Sequence, residues 1–141
     1  MDVAKMSGTS LAYIGDAVYE VYVRQYVLEK NPIDVNKQNR MAIKFVRAEG
    51  QAYAIKKMLP NLTEEEQMLV KRARNRKITS RPHNVQPVTY KLATAFEAFI
   101  GYLHLSGQKE RLDEIVREAI ELIEHAELKS VRKSVEKTEK E

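Results

Sequence analysis

Apolar residues recur along this chain at spacings of three and four, and nowhere do β-branched and polar residues alternate for long enough to make a strand. The pattern predicts helices throughout. The first runs from about Ser10 to Glu29, capped by Thr9 or Ser10 and stopped by Asn31-Pro32. Asp34 is placed to cap a second, from about Val35 to Ala48, and Gly50 then punctuates before a third that ends near Leu59. Thr63 and Glu66 have the spacing of a capping box, and Glu64, Glu65 and Glu66 fill a first turn where the helix dipole favours negative charge. This fourth helix runs into VKRARNRK and gives way to ITSRPHNVQP, a proline-punctuated loop. A fifth, from about Val88 to Leu105, is closed by Ser106-Gly107. The sixth, from Lys109 to about Leu128, places Leu112, Ile115, Val116, Ala119, Ile120 and Ile123 at amphipathic spacing. The reading is a single all-α domain over residues 1–128, followed by a charged tail, 129–141, with too little to bury to be more than frayed or disordered.

The first helix holds a puzzle. On a helical wheel Leu11, Ile14, Val18, Val21 and Tyr22 form its main apolar face, with Asp16, Glu20 and Arg24 in a stripe nearly opposite. Yet Ala12, Tyr19, Val23 and Val27 flank that stripe, so the helix is apolar on most of its circumference. Such a helix is usually central, and its charges then need partners or a metal. An ordinary polar stripe remains the alternative. The fifth helix repeats the pattern: Leu92, Phe96, Phe99, Ile100 and Leu103 share one face, and Glu97 sits off it, near Gly101 and His104.

Charge sharpens the picture. The net charge is only +4, but from Gln67 to Lys109 the sole carboxylate is Glu97, against eight Lys or Arg, six of them between Lys71 and Arg81. Such polarisation suits a polyanion-binding face. On the second helix Lys37, Arg40, Lys44 and Arg47 form another basic group with no acid among them. There are no cysteines, which excludes disulfides and thiolate metal sites, and His83, His104 and His125 are too far apart for a paired-histidine zinc site on one helical turn. The chain opens with no signal-peptide pattern and has no uninterrupted apolar run of the ~18 residues a membrane span needs, so a cytoplasmic location away from membranes is expected.

Gly15 and Gly101 each sit inside a predicted helix, at a cost of about 1 kcal/mol against alanine. The usual return is close backbone approach between crossing helices. If these two helices cross, Asp16 and Glu97 can face one another. Two adjacent carboxylates repel unless a cation lies between them, and hard oxygen ligands suit Mg²⁺ or Mn²⁺. A basic element for a polyanion beside an acidic metal site is the arrangement expected of a metal-dependent phosphodiesterase.

At this point the motifs gain a family context. IGDAVYE (Ile14–Glu20) resembles the GDA segment of the ribonuclease III catalytic domain, and FEAFIGYLHLSG (Phe96–Gly107) resembles its second acidic helix. LAYIGDA, VRAEGQA, KRARNRK and TAFEAFIGYLHL together, in the order and spacing found here, resemble the Mini-ribonuclease III branch, which lacks a separate double-stranded-RNA-binding domain. The likeness spans roughly residues 9–125. It implies a homodimeric all-α endoribonuclease that cuts double-stranded RNA with Mg²⁺ (Mn²⁺ substituting). The expected products carry 5′-phosphates, 3′-hydroxyls and short 3′ overhangs. The physiological substrate implied is the 23S ribosomal RNA precursor, with a ribosomal protein on that precursor as a candidate further partner.

Matched residue by residue, the resemblance makes Asp16 and Glu97 the catalytic, metal-ligating acids. Two departures stand out: Ala12 and Thr94 occupy positions where full-length members of the family carry Glu and Asp, so fewer direct carboxylate ligands are expected and metal binding should be weaker. The loop from Lys71 to Asn84 becomes the RNA-contacting element. Arg72, Arg74, Arg76, Lys77 and Arg81 are suited to phosphates, and Asn75 to a sugar hydroxyl or base edge. The rival reading is a non-catalytic RNA-binding module that kept the fold for ribosome assembly. Retention of both Asp16 and Glu97 argues against it, because phosphate binding alone would favour losing those charges.

Overall fold

A computed structural model describes residues 1–77 and 80–140, with side chains described through Glu127 and at Val135, Lys137 and Thr138. Six α-helices follow a short 3-10 turn at Val3–Lys5: α1 (Gly8–Lys30), α2 (Val35–Val46), α3 (Ala48–Met58), α4 (Glu64–Arg74), α5 (Pro87–Leu105) and α6 (Lys109–Lys140). Among the described residues there is no strand, and no helix is long and apolar enough to cross a membrane.

The most extensive packing is between α1 and α5, and two glycines explain it. A Cβ on Gly15 would lie 1.8 Å from the backbone oxygen of Glu97, and one on Gly101 would lie 1.9 Å from the backbone oxygen of Leu11. The helices therefore touch backbone to backbone at two points one turn apart, a separation that no side chain fits. Around this crossing Tyr19, Phe96, Phe99 and Ile100 are fully buried. The Tyr19 ring meets Phe96 edge-on with centroids 4.8 Å apart, and its hydroxyl donates to the Phe45 backbone oxygen at 3.0 Å, which satisfies its one polar atom in the core.

The buried face of α1 differs from the one the wheel selects. Leu11 is buried as expected, but the rest of the buried set is Ala12, Gly15, Tyr19, Val23 and Val27, while Val21 is 65% exposed. Hydrophobicity alone does not choose between faces of a helix that is apolar nearly all round; Gly15, which fixes the contact line with α5, lies on the true face.

Several boundaries also shift. Ser7, not Thr9 or Ser10, caps α1, its hydroxyl accepting from the Ser10 amide at 3.1 Å. Gly50 lies within the first turn of α3 instead of ahead of it, and it is close approach that requires the glycine, since a Cβ there would meet the Lys44 backbone oxygen at 2.3 Å. The backbone of α6 stays helical to Lys140, past the predicted end near Leu128 and through most of the expected frayed tail. Residues 129–140 contain no Gly or Pro and are rich in Lys, Arg and Glu, all good helix formers. Glu141 lies outside the described residues.

The fourth helix opens as predicted, with Thr63 and Glu66 each accepting from the other's backbone amide. Glu66 has a second task. It is buried, and Arg111 of α6 grips it with two hydrogen bonds of 2.9 and 2.8 Å. The guanidinium holds the Glu66 carboxyl below its ordinary value although burial pushes the other way. This pair fixes the acidic start of α4 to the body, and the opposite end, the basic arm from Lys71 to Lys77, lies against the start of α1, where Ala73 meets Gly8.

Candidate active site

Asp16 follows Gly15 directly and lies on an exposed flank of α1, whereas Glu97 is half-buried on α5 at the residue whose carbonyl packs against Gly15. The close crossing brings the two carboxyls into hydrogen-bonding contact. Burial, then that hydrogen bond and the repulsion from Asp16, push the Glu97 carboxyl from its ordinary 4.5 up to about 9. These effects favour the protonated form of Glu97 at neutral pH in the absence of a cation.

A divalent cation can replace that proton, because it satisfies both carboxylates where one of them is otherwise forced neutral. Two hard oxygen donors from different helices, one open to solvent, fit Mg²⁺, which keeps several waters and uses few protein ligands. Among the described residues no group of three or more His, Asp or Glu is clustered for a metal. Ala12, buried in a small apolar cluster with Leu11 and Ala98, offers no donor, whereas the Thr94 hydroxyl donates its hydrogen to the Tyr90 backbone oxygen at 2.9 Å and keeps its oxygen lone pairs. Waters, phosphate oxygens and the Thr94 hydroxyl are the groups left to complete a coordination shell.

The basic residues fall into three settings. Arg72 and Arg74 belong to the last turn of α4, where their charge complements the helix dipole, and Asn75 caps it. Arg72 and Arg76 line a shallow cavity with Gly8, Leu11 and Ala98, which places them beside the N-terminal turns of α1. Lys77 and Arg81 lie exposed beyond the helix, and Arg81 donates to the Val85 backbone oxygen at 2.7 Å. Ile78 and Thr79, within the loop expected to contact RNA, lie outside the described residues. Lys37 and Arg40 on α2 and Arg47 just past its end are exposed, but Lys44 sits 3.8 Å from Glu124 of α6. The Glu66–Arg111 anchor at the start of α4 has no signal in the sequence beyond the capping box, since its partners are 45 residues apart.

An all-α domain whose crossing glycines bring together two acids beside a basic helix end defines a class. The chain matches the Ribonuclease III domain family over residues 9–108 and belongs to it. Within that family it is similar to proteins named Mini-ribonuclease 3. It is 43% identical to that of Symbiobacterium thermophilum over 118 residues, covering 84% of this chain and 91% of the relative. It is 42% identical to that of Enterococcus faecalis over 124 residues, covering 86% and 94%. The solved structure of protein FN1578 from Fusobacterium nucleatum is similar, with a TM-score of 0.77 and 33% identity over 85% of this chain and 96% of that one. The chain is a ribonuclease III-type endoribonuclease, with double-stranded RNA as its substrate class, in a family that is typically metal-dependent.

Proposed function

We propose that this chain is a Mg²⁺-dependent endoribonuclease that works as a homodimer, each protomer cutting one strand of duplex RNA, and that its task is maturation of the 23S ribosomal RNA precursor. The products are 5′-phosphate and 3′-hydroxyl ends with a short 3′ overhang. The observation that carries this reading is the hydrogen-bonded Asp16–Glu97 pair at the α1–α5 crossing. Asp16 and Glu97 would hold the cation from two helices whose backbones are in contact, so the positions of their main chains are set before substrate arrives. The cation would supply charge that lowers the pKa of a bound water and offsets the charge on the leaving oxygen. Arg72, Arg74, Arg76, Lys77 and Arg81 bind phosphates, and Asn75 contacts a sugar hydroxyl or base edge. The homodimer is supported by apolar residues left open on α1: Tyr13 is 85% and Val21 65% exposed.

The deciding experiment incubates the purified protein with a perfect RNA duplex and Mg²⁺ and maps the product ends. Staggered cuts in both strands are expected, lost in EDTA and restored by Mg²⁺ or Mn²⁺. Asp16→Asn and Glu97→Gln should each slow cleavage roughly a thousandfold, the loss of about 4 kcal/mol of transition-state stabilisation. Metal-independent cutting, or substantial activity in either variant, would overturn the mechanism. Duplex binding without cutting would favour the non-catalytic RNA-binding module.

A further inference from the structure

Ala12, Asp16 and Glu20 follow one another at four-residue spacing along one side of α1. Ala12 is buried in a cluster with Leu11 and Ala98, against which Leu69 and Ala73 of α4 pack. Glu20 lies against α2 and lines a groove of about 430 Å³ with Arg24, Ile43 and Val46. Exposed Asp16 therefore sits between two shoulders. The α4 shoulder carries Arg72 and Arg76.

The α2 shoulder has its own cations. The Tyr19 hydroxyl, bonded to the Phe45 backbone oxygen at 3.0 Å, ties the last turn of α2 to the turn of α1 that follows Asp16. Arg47 comes two residues later, at the junction of α2 and α3, exposed and with no carboxylate partner among the described residues. Arg24 stands eight residues beyond Asp16, about 12 Å along the helix axis. Its only ion pair among the described residues is with Glu20 at 2.7 Å, and its side chain is 71% exposed, so the pair is weak and readily exchanged for a phosphate. No acid occurs between Asp34 and Glu49 to offset this charge.

We propose that Arg24 and Arg47 form a second phosphate clamp, on the α2 side of the Asp16–Glu97 pair, opposite the α4 arm. The inference rests on the duplex-RNA reading above. A strand gripped only from the α4 side can pivot about that grip; cations on both sides of the acids hold the scissile phosphate in place. Guanidinium groups suit the task, since each matches two phosphate oxygens at once.

The test compares Arg24→Gln, Arg47→Gln and the double variant with Lys56→Gln, which removes an exposed charge on α3. Duplex-RNA affinity is measured across a salt series, alongside cleavage kinetics with Mg²⁺ and thermal melting. Each clamp variant should raise Kd and KM roughly three- to tenfold at moderate salt and lower the slope of log K against log salt by about 0.9 for each phosphate no longer neutralised. Melting should be unchanged, Arg→Lys should recover most of the slope, and Lys56→Gln should leave both affinity and slope as they were. An unaltered slope in the double variant, or an equal effect from Lys56→Gln, would overturn the clamp while wild-type cleavage stands. Failure of the wild type to bind and cut the duplex is a different result, and it would remove the underlying reading instead.

Discussion

At the α1–α5 crossing a single added methyl group would strike backbone, whereas on the α4 arm most side chains of interest end in water. The first region holds two acids and almost no spare volume; the second holds a run of cations on a helix end. Metal-assisted hydrolysis needs its ligands fixed to a fraction of an ångström, and tight helix contact achieves this. Recognition of an RNA backbone needs charge that can follow phosphates, and solvated side chains at a helix end provide it. One chain thus meets two demands, by close packing in one region and solvation in the other.

The sharpest way to break the comparison is to place the same small change in both regions. Gly15→Ala forces the Glu97 carbonyl away from a position 1.8 Å from the new Cβ, and should cost about 3 kcal/mol along with most of the nuclease activity. Gly8→Ala meets only the Ala73 residue, at 3.5 Å from its Cβ, where α1 passes under the arm, and should stay within about 0.5 kcal/mol of the parent. Denaturant midpoints and cleavage rates of both variants check this. Equal stability losses would mean that the crossing is no tighter than its surroundings.

The reverse contrast follows from charge. Replacing Arg72, Arg74 and Arg76 by Glu should leave the melting temperature nearly unchanged and raise Kd for duplex RNA at least tenfold, with the salt slope reduced by about 0.9 for each phosphate no longer neutralised. Unaltered affinity would remove the arm from RNA binding. The effect is smaller than that of Gly15→Ala on the folded state, because those side chains contribute little to packing.

The same contrasts separate what the sequence makes legible from what it hides. Gly15 and Gly101 are legible as a crossing because a helix-interior glycine has few other uses, and from the crossing comes the meeting of Asp16 with Glu97. Thr63 and Glu66 are legible because a capping box is local. Arg111 is not: its bond to Glu66 depends on how α6 lies against α4, which no nearby pattern records. The true inner face of α1 is hidden for another reason. When Val21 and Val23 are equally apolar, only the partner helix decides which is buried. The end of α6 escapes a reading based on apolar periodicity, because Lys, Arg and Glu sustain a helix without a buried face. The proton on Glu97 is equally invisible, since it follows from burial and from the distance to Asp16.

That proton gives the most delicate test of the contrast. Glu97 holds it up to about pH 9 in the folded chain, against an ordinary value of 4.5 once unfolded. Between those values folding takes up a proton, so the stability of the metal-free protein should fall as pH rises through that window. Glu97→Gln removes the group and should flatten this part of the curve, with the variant gaining on the parent towards pH 9. Added Mg²⁺ should stabilise the parent most at the alkaline end, because binding displaces the proton and is easier where the proton is held less firmly. Thermal melting in EDTA and in Mg²⁺ across pH 5 to 9 reads these outcomes. A parent whose stability is level across that range would show that Glu97 gives up its proton at an ordinary pH, and that the crossing imposes less on its acids than the contact between its glycines implies.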